Sequence, residues 1–206
     1  MKSLVTGGAG FIGSNLVDKL VKLGHKVIVI DNEYSDVHEQ FYYNDKAEYH
    51  NLDIRDQATR NLYDDVDYVF HLAAEARIQP AVLNPIEAVS INSVGTCTVL
   101  QFAREAKVKR VIYSSTSSGY GLNEPPNVEA QPDDCLNPYS VSKVNGEKLC
   151  SMYTNLFGVK TIILRYFNVY GNRHPLKGQY APVIGIFLRQ LRDEEPLTIV
   201  GDGEQR

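Results

Sequence analysis

Short runs of apolar and β-branched residues alternate along the chain with longer segments in which apolar residues recur at the period of a helix. The runs predict strands at residues 4–6, 27–30, 48–52, 68–72, 110–113, 161–164 and 197–200. The longer segments predict helices at residues 12–23, 85–107, 138–157 and 180–192. Strands and helices in this alternation indicate an α/β fold, a doubly wound parallel sheet of the Rossmann type with helices on both faces.

Composition and charge narrow the class of protein. The 206 residues include 21 Lys and Arg against 25 Asp and Glu, a net charge of −4, which gives no electrostatic reason to expect a nucleic-acid partner. No segment approaches the roughly 20 apolar residues of a membrane span, so we expect no membrane partner either. The cysteines, Cys97, Cys135 and Cys150, form no Cys-x-x-Cys pair. We therefore expect a cytoplasmic, soluble protein with neither a disulfide framework nor a metal site.

A glycine-rich turn joins the first predicted strand to the first predicted helix. Its sequence, Gly7-Gly8-Ala9-Gly10-Phe11-Ile12-Gly13, satisfies the pattern G-x-x-G-x-x-G. Glycines make such a turn tight and let the backbone approach a pyrophosphate, whose charge meets the N–H groups at the helix N-terminus. We therefore predict that a dinucleotide binds at Gly7, Gly10, Phe11, Ile12 and Gly13. A purely structural turn is the alternative.

An acidic residue follows the second predicted strand. Asp31 stands 18 residues beyond Gly13, where a carboxylate accepts hydrogen bonds from both hydroxyls of an adenosine ribose and repels a 2′-phosphate. Residues 32–36 contain no Arg or Lys that would bind such a phosphate. The pattern favours NAD over NADP as the cofactor, and a solvated aspartate at a strand end is the alternative.

Tyr139 and Lys143 stand four residues apart at the start of a predicted helix, so their side chains share one face. Because a nearby ammonium favours the phenolate, we expect Lys143 to lower the pKa of Tyr139 from about 10 toward neutrality. Such a tyrosine takes a proton from a sugar hydroxyl while a hydride leaves the same carbon. Thr116 ends the upstream run Ser114-Ser115-Thr116, where its hydroxyl contacts either the reacting sugar oxygen or only its own backbone.

Together these motifs resemble those of the extended short-chain dehydrogenases/reductases, and more narrowly the NAD-dependent epimerase/dehydratase family. They occur in the family order and span nearly the whole chain. The matching segments are residues 6–13, Asp31-Asn32, Asp53-Ile54-Arg55-Asp56, His71-Leu72-Ala73-Ala74, Asn92-x-x-Gly95-Thr96, Ser114-Ser115-Thr116, Pro138-Tyr139-x-x-x-Lys143 and residues 164–171.

The resemblance implies roles for further residues. Asp53 and Ile54 resemble the pair that contacts the adenine of NAD, and Asn168 resembles the residue that meets the diphosphate of a nucleotide sugar. The implied cofactor contacts also include a set along the strand ends and on the catalytic helix: Asn32, Leu72, Ala73, Ala74, Ser114, Tyr139, Lys143 and Tyr166. For His71 we expect a packed histidine rather than a catalytic one.

Two details bear on the type of reaction. Ser117 and Ser118 follow Thr116, where the family's sugar dehydratases have Asp-Glu, so dehydratase chemistry is disfavoured. Glu75 and Arg77 stand in a segment that lies near the substrate in the family. They either tune the choice of sugar or form a solvated ion pair.

The resemblance therefore implies an NAD-dependent nucleotide-sugar epimerase with Thr116, Tyr139 and Lys143 as catalytic residues and a UDP-hexose as the expected substrate. Another family member, such as a reductase or a decarboxylase, is one alternative. A non-catalytic NAD-binding module is a second, because family members continue well beyond residues 201–206 with a portion that covers the sugar nucleotide.

We expect residues 1–170 to form the NAD-binding domain and residues 171–206 to be the incomplete start of a substrate-binding lobe. The helices at 85–107 and 138–157 resemble the pair that forms a homodimer through a helix bundle.

Overall fold

Six parallel strands form one sheet in the computed structural model, which describes residues 1–35, 40–175, 183–199 and 201–203. The strands are β1 (Lys2–Thr6), β2 (Lys26–Ile30), β3 (Glu48–His50), β4 (Tyr68–His71), β5 (Arg110–Thr116) and β6 (Thr161–Tyr166). They lie in the order β3-β2-β1-β4-β5-β6, and the direction of winding reverses between β1 and β4. In doubly wound sheets ligands bind at this switch point, outside the carboxyl ends of the strands. The predicted fold class is confirmed.

Helices pack on the two faces of this sheet. The helices of the described residues are α1 (Phe11–Lys22), α2 (Ile78–Leu83), α3 (Pro85–Val89), α4 (Gly95–Glu105), α5 (Pro138–Phe157) and α6 (Val183–Arg192). Of these, α1, α4 and α5 lie against the strands, and α2 and α3 pack on α5. A π-helical turn at Ser90–Val94 joins α3 to α4, so the helix predicted at 85–107 forms as one nearly continuous unit. The helix predicted at 180–192 is present from Val183 onward, and residues 180–182 lie outside the described residues. No helix in the described part of the chain is long and apolar enough to cross a membrane.

The bounds of α5 agree with the predicted helix at 138–157, because both of its ends carry specific signals. The side chain of Asn137 caps the first turn by accepting a hydrogen bond from the Ser140 N–H at 2.9 Å. Pro138 takes the first helical position, where an N–H group has no acceptor within the helix, so the proline costs the helix no hydrogen bond. Gly158 ends the helix with a φ of 72°, a left-handed conformation that favours glycine. The helix that carries the tyrosine–lysine motif is therefore fixed in register.

Alternate residues of the central strands face two hydrophobic clusters, one on each side of the sheet. Leu4, Ile28 and Val69 pack with residues of α4 and α5 in the larger cluster. Their chain neighbours Val5 and Val29 pack with α1 on the opposite side. β2 is thus buried on both faces, as its continuous apolar run predicts.

Two parts of the fold differ from the sequence prediction. Residues 197–199 form no strand, and Val200 lies outside the described residues. A strand needs a backbone partner, and here the side chain of Gln190 takes that place: it donates to Thr198 Oγ1 at 2.7 Å and accepts from the Thr198 N–H at 3.2 Å. The other difference is α2, which is absent from the predicted elements because its 6 residues are too few to show a helical period.

Candidate active site

The glycine-rich turn between β1 and α1 has room for backbone atoms only. Gly7 lies in the left-handed region with a φ of +71°, and a Cβ atom there would lie 2.7 Å from the backbone nitrogen of Ala73. A Cβ atom on Gly13 would overlap the carbonyl oxygen of Gly7. The absence of side chains therefore brings the N-terminus of α1 close to the ends of β1 and β4, at the switch point of the sheet.

The N-terminus of α1 has the donor set that a phosphate needs. Gly10 takes the capping position, no described side chain caps the helix there, and the first turn carries no acidic residue. The first N–H groups of the helix, those of Phe11, Ile12 and Gly13, have no acceptor within it. Together with the helix dipole they favour an anion, so the turn fits the pyrophosphate of a dinucleotide.

Asp31 holds the glycine turn from the side of β2. Its Oδ2 atom accepts a hydrogen bond from the Ala9 N–H at 2.9 Å, and its Oδ1 atom accepts one from the Glu33 N–H at 2.9 Å. Each carboxylate oxygen has a second lone pair, so both retain the capacity to accept from a ribose hydroxyl. The placement therefore fits both interpretations of Asp31, as a strand-end carboxylate bonded to backbone and as a ribose acceptor.

Asn32 and Asp53 meet next to Asp31, where Asn32 Nδ2 donates to Asp53 Oδ2 at 3.3 Å. Arg55 donates two hydrogen bonds to the same carboxylate, from Nε to Oδ1 at 2.9 Å and from Nη2 to Oδ2 at 2.7 Å. These bonds hold the pKa of Asp53 below its ordinary value. Ile54 is buried between them and α4. Gly95 makes room for it, because a Cβ atom there would lie 2.5 Å from Ile54 Cδ1.

Thr6 binds the end of β4 and orients the buried histidine beside it. Its Oγ1 atom accepts from the N–H groups of Leu72 at 3.2 Å and Ala73 at 3.1 Å, so we assign its proton to the hydrogen bond with His71 Nδ1 at 2.7 Å. His71 Nε2 then donates to Thr96 Oγ1 at 2.9 Å. Burial lowers the pKa of His71 to about 3, so the ring is neutral. These contacts agree with a packed rather than a catalytic histidine.

α5 brings the predicted proton-transfer residues to the end of β5. The Thr116 hydroxyl lies near enough to Tyr139 to act on the pKa of the phenol, and it accepts a hydrogen bond from the Ser118 N–H at 3.0 Å. The bond of Thr116 to its own turn is therefore present, and its place beside Tyr139 is compatible with a contact to the reacting sugar oxygen. Lys143 is 4% exposed, and its ammonium nitrogen lies 4.5 Å from the centre of the Tyr113 ring.

Burial dominates the electrostatics of the pair on α5. It raises the pKa of Tyr139, against a lowering effect of the nearby Thr116 hydroxyl, and the charge of Glu75 raises it further. Burial also lowers the pKa of Lys143 to about 8. The prediction that Lys143 lowers the pKa of Tyr139 is therefore wrong for the chain by itself, because a poorly solvated environment disfavours the charged forms of both residues.

Glu75 and Arg77 form an ion pair beneath the surface. Arg77 Nε lies 3.2 Å from Glu75 Oε1, and the two side chains are 16% and 5% exposed. Asn92 fixes the backbone of Glu75 on both sides, since its Oδ1 accepts from the Glu75 N–H and its Nδ2 donates to the Glu75 carbonyl, each at 2.9 Å. The ion pair of the second alternative is therefore present, but it is largely removed from solvent, because Glu75 is held in the interior near Tyr139.

The remaining predicted residues lie around this group. Tyr166 is the register partner of Thr116 across β5 and β6, and Ser114 is buried two residues earlier on β5. Ala74 is half-buried just beyond the end of β4. Asn168 is exposed, two residues beyond β6. The structure thus gathers the predicted residues at one edge of the sheet, with Asn168 at its surface.

Three residues that the motifs did not assign to the site also organise it. Thr6 orients His71, as described, and Arg55 extends from Asp53 to Glu87 on α3 with an Nη2–Oε1 distance of 2.9 Å. Glu147 lies on the same face of α5 as Lys143, four residues further on. The four-residue spacing from Lys143 places Glu147 on the face of the tyrosine–lysine motif and could have indicated it. Its partners are distant in sequence, so no local pattern indicated them. In the described ranges, no group of three or more His, Cys, Asp or Glu side chains is placed to hold a metal ion.

Known proteins resemble the chain along nearly all of its length. A protein of Methanocaldococcus jannaschii with the provisional name of a UDP-glucose 4-epimerase is 40% identical over 208 residues, which cover 98% of this chain and 67% of that protein. A UDP-N-acetyl-alpha-D-glucosaminuronate decarboxylase of Bacillus cytotoxicus is 38% identical over 223 residues, covering 99% and 65%. The crystal structure of UDP-glucose 4-epimerase from Thermotoga maritima with UDP-glucose matches with a TM-score of 0.92 at 36% identity, covering 99% and 67%.

The chain spans about two thirds of the length of these relatives. The family model for the NAD dependent epimerase/dehydratase family matches residues 3–206. The predicted family and its NAD dependence are confirmed, and the epimerase interpretation agrees with more of these relatives than the decarboxylase alternative does. The chain therefore belongs to the NAD-dependent epimerase/dehydratase family.

Proposed function

We propose that this chain acts as an NAD-dependent nucleotide-sugar epimerase of the UDP-hexose 4-epimerase type. The observation that carries the proposal is the placement of Tyr139 beside Thr116 at the end of β5, one helical turn from the buried Lys143. The same edge of the sheet presents the uncapped glycine turn. A hydride-accepting cofactor and a proton-transfer residue at one edge are what removal and return of a hydride at a sugar carbon require.

In this proposal NAD lies across the switch point of the sheet. When bound, NAD supplies the hydride acceptor and, in the return direction, the hydride donor. The first turn of α1 would hold the pyrophosphate, Asp31 and Asn32 the adenosine ribose, and Asp53 and Ile54 the adenine. The nicotinamide half would lie against the strand ends and the catalytic helix, at Leu72, Ala73, Ala74, Ser114, Tyr139, Lys143 and Tyr166.

Tyr139 performs the proton transfer in this proposal. Its hydroxyl oxygen takes the proton from the hydroxyl on the sugar carbon that loses the hydride, and gives it back when the hydride returns. Thr116 holds the same sugar oxygen by a hydrogen bond. Lys143, with a pKa of about 8, stays mainly charged at neutral pH and can donate to the nicotinamide ribose. No further acid or base is needed, in contrast to the elimination of water.

We assign recognition of the sugar to Glu75 and Arg77, and recognition of the diphosphate to the exposed Asn168. The buried Glu75 holds Arg77 at 3.2 Å and 3.4 Å and lies near enough to Tyr139 for its charge to act on the pKa of the phenol. A guanidinium group fixed in this way presents a planar donor to a polar substituent of the sugar.

A decarboxylase is the second candidate, because a relative at 38% identity carries that name. Decarboxylation of a UDP-uronic acid begins with the same removal of a hydride, so Tyr139 and Thr116 serve either reaction. The products separate the two candidates: an epimerase interconverts two sugars of equal mass, whereas a decarboxylase releases carbon dioxide.

We also propose that the chain forms a homodimer through a helix bundle. Large apolar side chains are exposed on α2, α3, the π-helical turn and α5, with Ile86 at 83%, Leu83 at 76%, Val94 at 55% and Val141 at 50%. A group of exposed apolar residues on neighbouring helices is typical of an interaction surface. Sedimentation analysis should give a dimer, and Ile86→Glu should give a monomer.

We propose residues 1–170 as the NAD-binding domain with the catalytic residues, and residues 171–206 as part of a substrate-binding lobe. Residues 1–166 include the whole sheet and all the residues assigned to NAD, which supports this division. We further propose a cytoplasmic location, since Cys97, Cys135 and Cys150 are free thiols and fit a reducing compartment.

The test is turnover of separate UDP-hexoses by the purified chain with NAD. Formation of the 4-epimer is followed by chromatography, and NADH by its absorbance. Tyr139→Phe should lower the rate by about 100- to 10,000-fold. The matched control is Tyr68→Phe, which removes a hydroxyl at the opposite end of β4 and should leave the rate unchanged.

Three results would contradict parts of the proposal. Binding of NAD without turnover of any UDP-hexose would exclude the epimerase function for this chain. Release of carbon dioxide from a UDP-uronic acid would favour the second candidate. Tighter binding of NADP than of NAD would overturn the role of Asp31.

A further inference from the structure

α5 carries a third polar residue on the face of Tyr139 and Lys143. Glu147 stands four residues after Lys143 and eight after Tyr139, so the three side chains lie on one side of the helix. The side chain of Glu147 is only 12% exposed. The proposed reaction does not use it, and a buried carboxylate needs a compensating partner.

Arg165 on β6 is that partner. Its Nε atom donates to Glu147 Oε1 at 2.9 Å and its Nη2 atom donates to Oε2 at 2.7 Å, a bidentate pair of charge-assisted hydrogen bonds. The Ser115 hydroxyl on β5 also donates to Glu147 Oε1. Arg165 lies 4.8 Å from the centre of the Tyr120 ring, and its Nη2 atom also bonds Asp133 Oδ1 at 2.8 Å. Its side chain is 12% exposed, so the pair is removed from most of the solvent.

Ser115 and Arg165, the partners of Glu147, lie on β5 and β6 directly before the proposed active site. Ser115 on β5 is paired in register with Arg165 on β6, and the next pair along the two strands is Thr116 with Tyr166. Glu147 therefore fixes α5 to both strands one residue before the proposed active site. A movement of α5 along the strands would change the distance between Tyr139 and Thr116.

The charge of Glu147 has a second effect, on Lys143. The titratable groups around that ammonium are Tyr139, Glu147 and Cys150 on α5, Tyr113 on β5 and His71 on β4. His71 is neutral, because its pKa is about 3, and the pKa of Cys150 is raised to about 12. Glu147 is thus the carboxylate in the described residues whose charge opposes the effect of burial on Lys143, and it raises the pKa that burial lowers.

We propose that Glu147 is a positioning residue for the epimerase reaction: through Arg165 and Ser115 it holds α5 against β5 and β6, so that Tyr139 stays beside Thr116. The charge of the same carboxylate, one helical turn from Lys143, helps to keep that ammonium protonated. The expected effect of Glu147 on turnover rests on the proposed function. The effect of Glu147 on the pKa of Lys143 does not, because it is a property of the chain itself. Glu147 does not contact the reacting atoms, so it is not a catalytic residue.

The first test is Glu147→Gln, which keeps the size of the side chain and removes its charge. We expect kcat to fall by about 10- to 100-fold, since displacement of a reacting group by about 1 Å costs up to that factor. The basic limb of the pH profile of kcat should also move to lower pH, because Lys143 loses its proton earlier. The matched control is Leu149→Ala on the same helix, which removes packing against the core and should leave the basic limb in place.

A direct measurement keeps the two proposals distinguishable. The pKa of the Lys143 ammonium, followed by NMR in the chain without substrate, should be lower in Glu147→Gln than in the wild-type chain. If the wild-type chain turns over no UDP-hexose while this difference is present, the proposed function fails and the effect of Glu147 on Lys143 stands. If Glu147→Gln does not fold, the double variant Glu147→Met with Arg165→Met replaces the buried pair by residues of similar volume. It should fold and show both the slower turnover and the lower pKa.

Two results would overturn the inference. One is a Glu147→Gln or double-variant chain with the kcat and the basic limb of the wild type. The other is a loss of rate no larger than that of Leu149→Ala with an unchanged pKa of Lys143, which would make the pair an ordinary structural contact.

Discussion

The two ends of the active site are built by different physical means. At the cofactor end, the shape depends on atoms that are absent: Gly7 and Gly13 place backbone against backbone, and a single Cβ atom would separate the segments. At the chemical end, the shape depends on polar side chains that are present: Glu75 and Lys143 are buried, and the side chain of Glu147 is 12% exposed. Steric exclusion determines the shape of the cofactor end, and desolvation determines the charge states at the chemical end.

This difference has consequences for substitution. A site made by exclusion tolerates no added volume. In a site made by buried polar groups, each ionisable group costs the folded state free energy. The variants below test the two behaviours separately.

The largest effect is expected at the glycine turn. Gly13→Ala places a Cβ atom on the carbonyl oxygen of Gly7, so the turn has to open and the N–H groups of α1 move away from the phosphate position. We expect NAD affinity to fall by at least about 100-fold and stability to fall by about 3 kcal/mol or more. Isothermal titration with NAD and urea unfolding measure the two quantities.

Gly24→Ala is the matched control for this substitution. Gly24 also has a positive φ, of +80°, but a Cβ atom there meets nothing within 4 Å. The variant should lose only about 1 kcal/mol through backbone strain and keep its affinity for NAD. Equal losses of affinity in the two variants would show that the turn is not shaped by exclusion.

The second effect is expected at the chemical end, from Lys143→Met. The pKa of Lys143 is about 8 in the folded chain, against an ordinary 10.5, so the unfolded chain binds more protons between these values and stability rises with pH across that window. Below pH 8 the buried ammonium destabilises the fold by about 3 kcal/mol. Lys143→Met should therefore be more stable by up to that amount at pH 7, and should lose its catalytic activity.

Lys148→Met provides the control, because Lys148 is the next lysine on α5 and its side chain is 70% exposed. Its stability should match that of the wild type at every pH. The gain of Lys143→Met, measured by urea unfolding, should disappear as the pH approaches 10.5. A variant that is less stable than the wild type at pH 7 would mean that the contact of Lys143 with the Tyr113 ring outweighs the cost of burial.

The same contrast explains how much of the molecule could be predicted from its sequence. The glycine turn and α5 were predicted with nearly correct bounds, because Gly7, Asn137 and Gly158 act through local geometry that adjacent residues determine. Residues 197–199 of the strand predicted at 197–200 form no strand, for the opposite reason. A strand exists only beside a partner, and Leu197 and its neighbours have none in the described residues.

The chemistry of the site was harder to predict than its residues. Tyr139, Lys143 and Thr116 were found from spacing, but the direction of the pKa of Tyr139 was predicted wrongly, because burial is a property of the whole fold. The pair of Glu147 with Arg165 was missed because 18 residues separate two side chains that meet only when β6 joins the sheet. Burial and long-range pairing are the two quantities that local patterns do not contain.

The third prediction concerns His71, which connects the two ends through Thr6 on β1 and Thr96 on α4. Its pKa is about 3 in the folded chain and about 6.5 when unfolded, so the unfolded chain binds more protons in this window and stability falls as the pH decreases below 6.5. The loss attributable to His71 should reach about 2 kcal/mol at pH 5. His71→Gln should show a shallower loss of stability between pH 6.5 and pH 5, measured by urea unfolding.

His25→Gln is the control for this measurement, because His25 lies at the opposite edge of the sheet and bonds Ser3 at 2.8 Å. It should keep the slope of the wild type between pH 6.5 and pH 5. A slope in His71→Gln equal to that of the wild type would mean that other groups cause the acid sensitivity.

The smallest effect is expected at the surface beside the cofactor end, where the chain after β6 meets α1. Arg173, in the segment that follows β6, bonds Asp18 on α1 with an Nη2–Oδ2 distance of 2.6 Å, and the side chains are 21% and 39% exposed. Partly solvated pairs contribute little, so Asp18→Asn should lower stability by less than about 1 kcal/mol, and the difference should vanish at 1 M salt. Urea unfolding at two salt concentrations measures both effects. A loss of about 2 kcal/mol or more that persists at high salt would mean that the cofactor end, too, depends on a desolvated ion pair, and the contrast between the two ends would then fail.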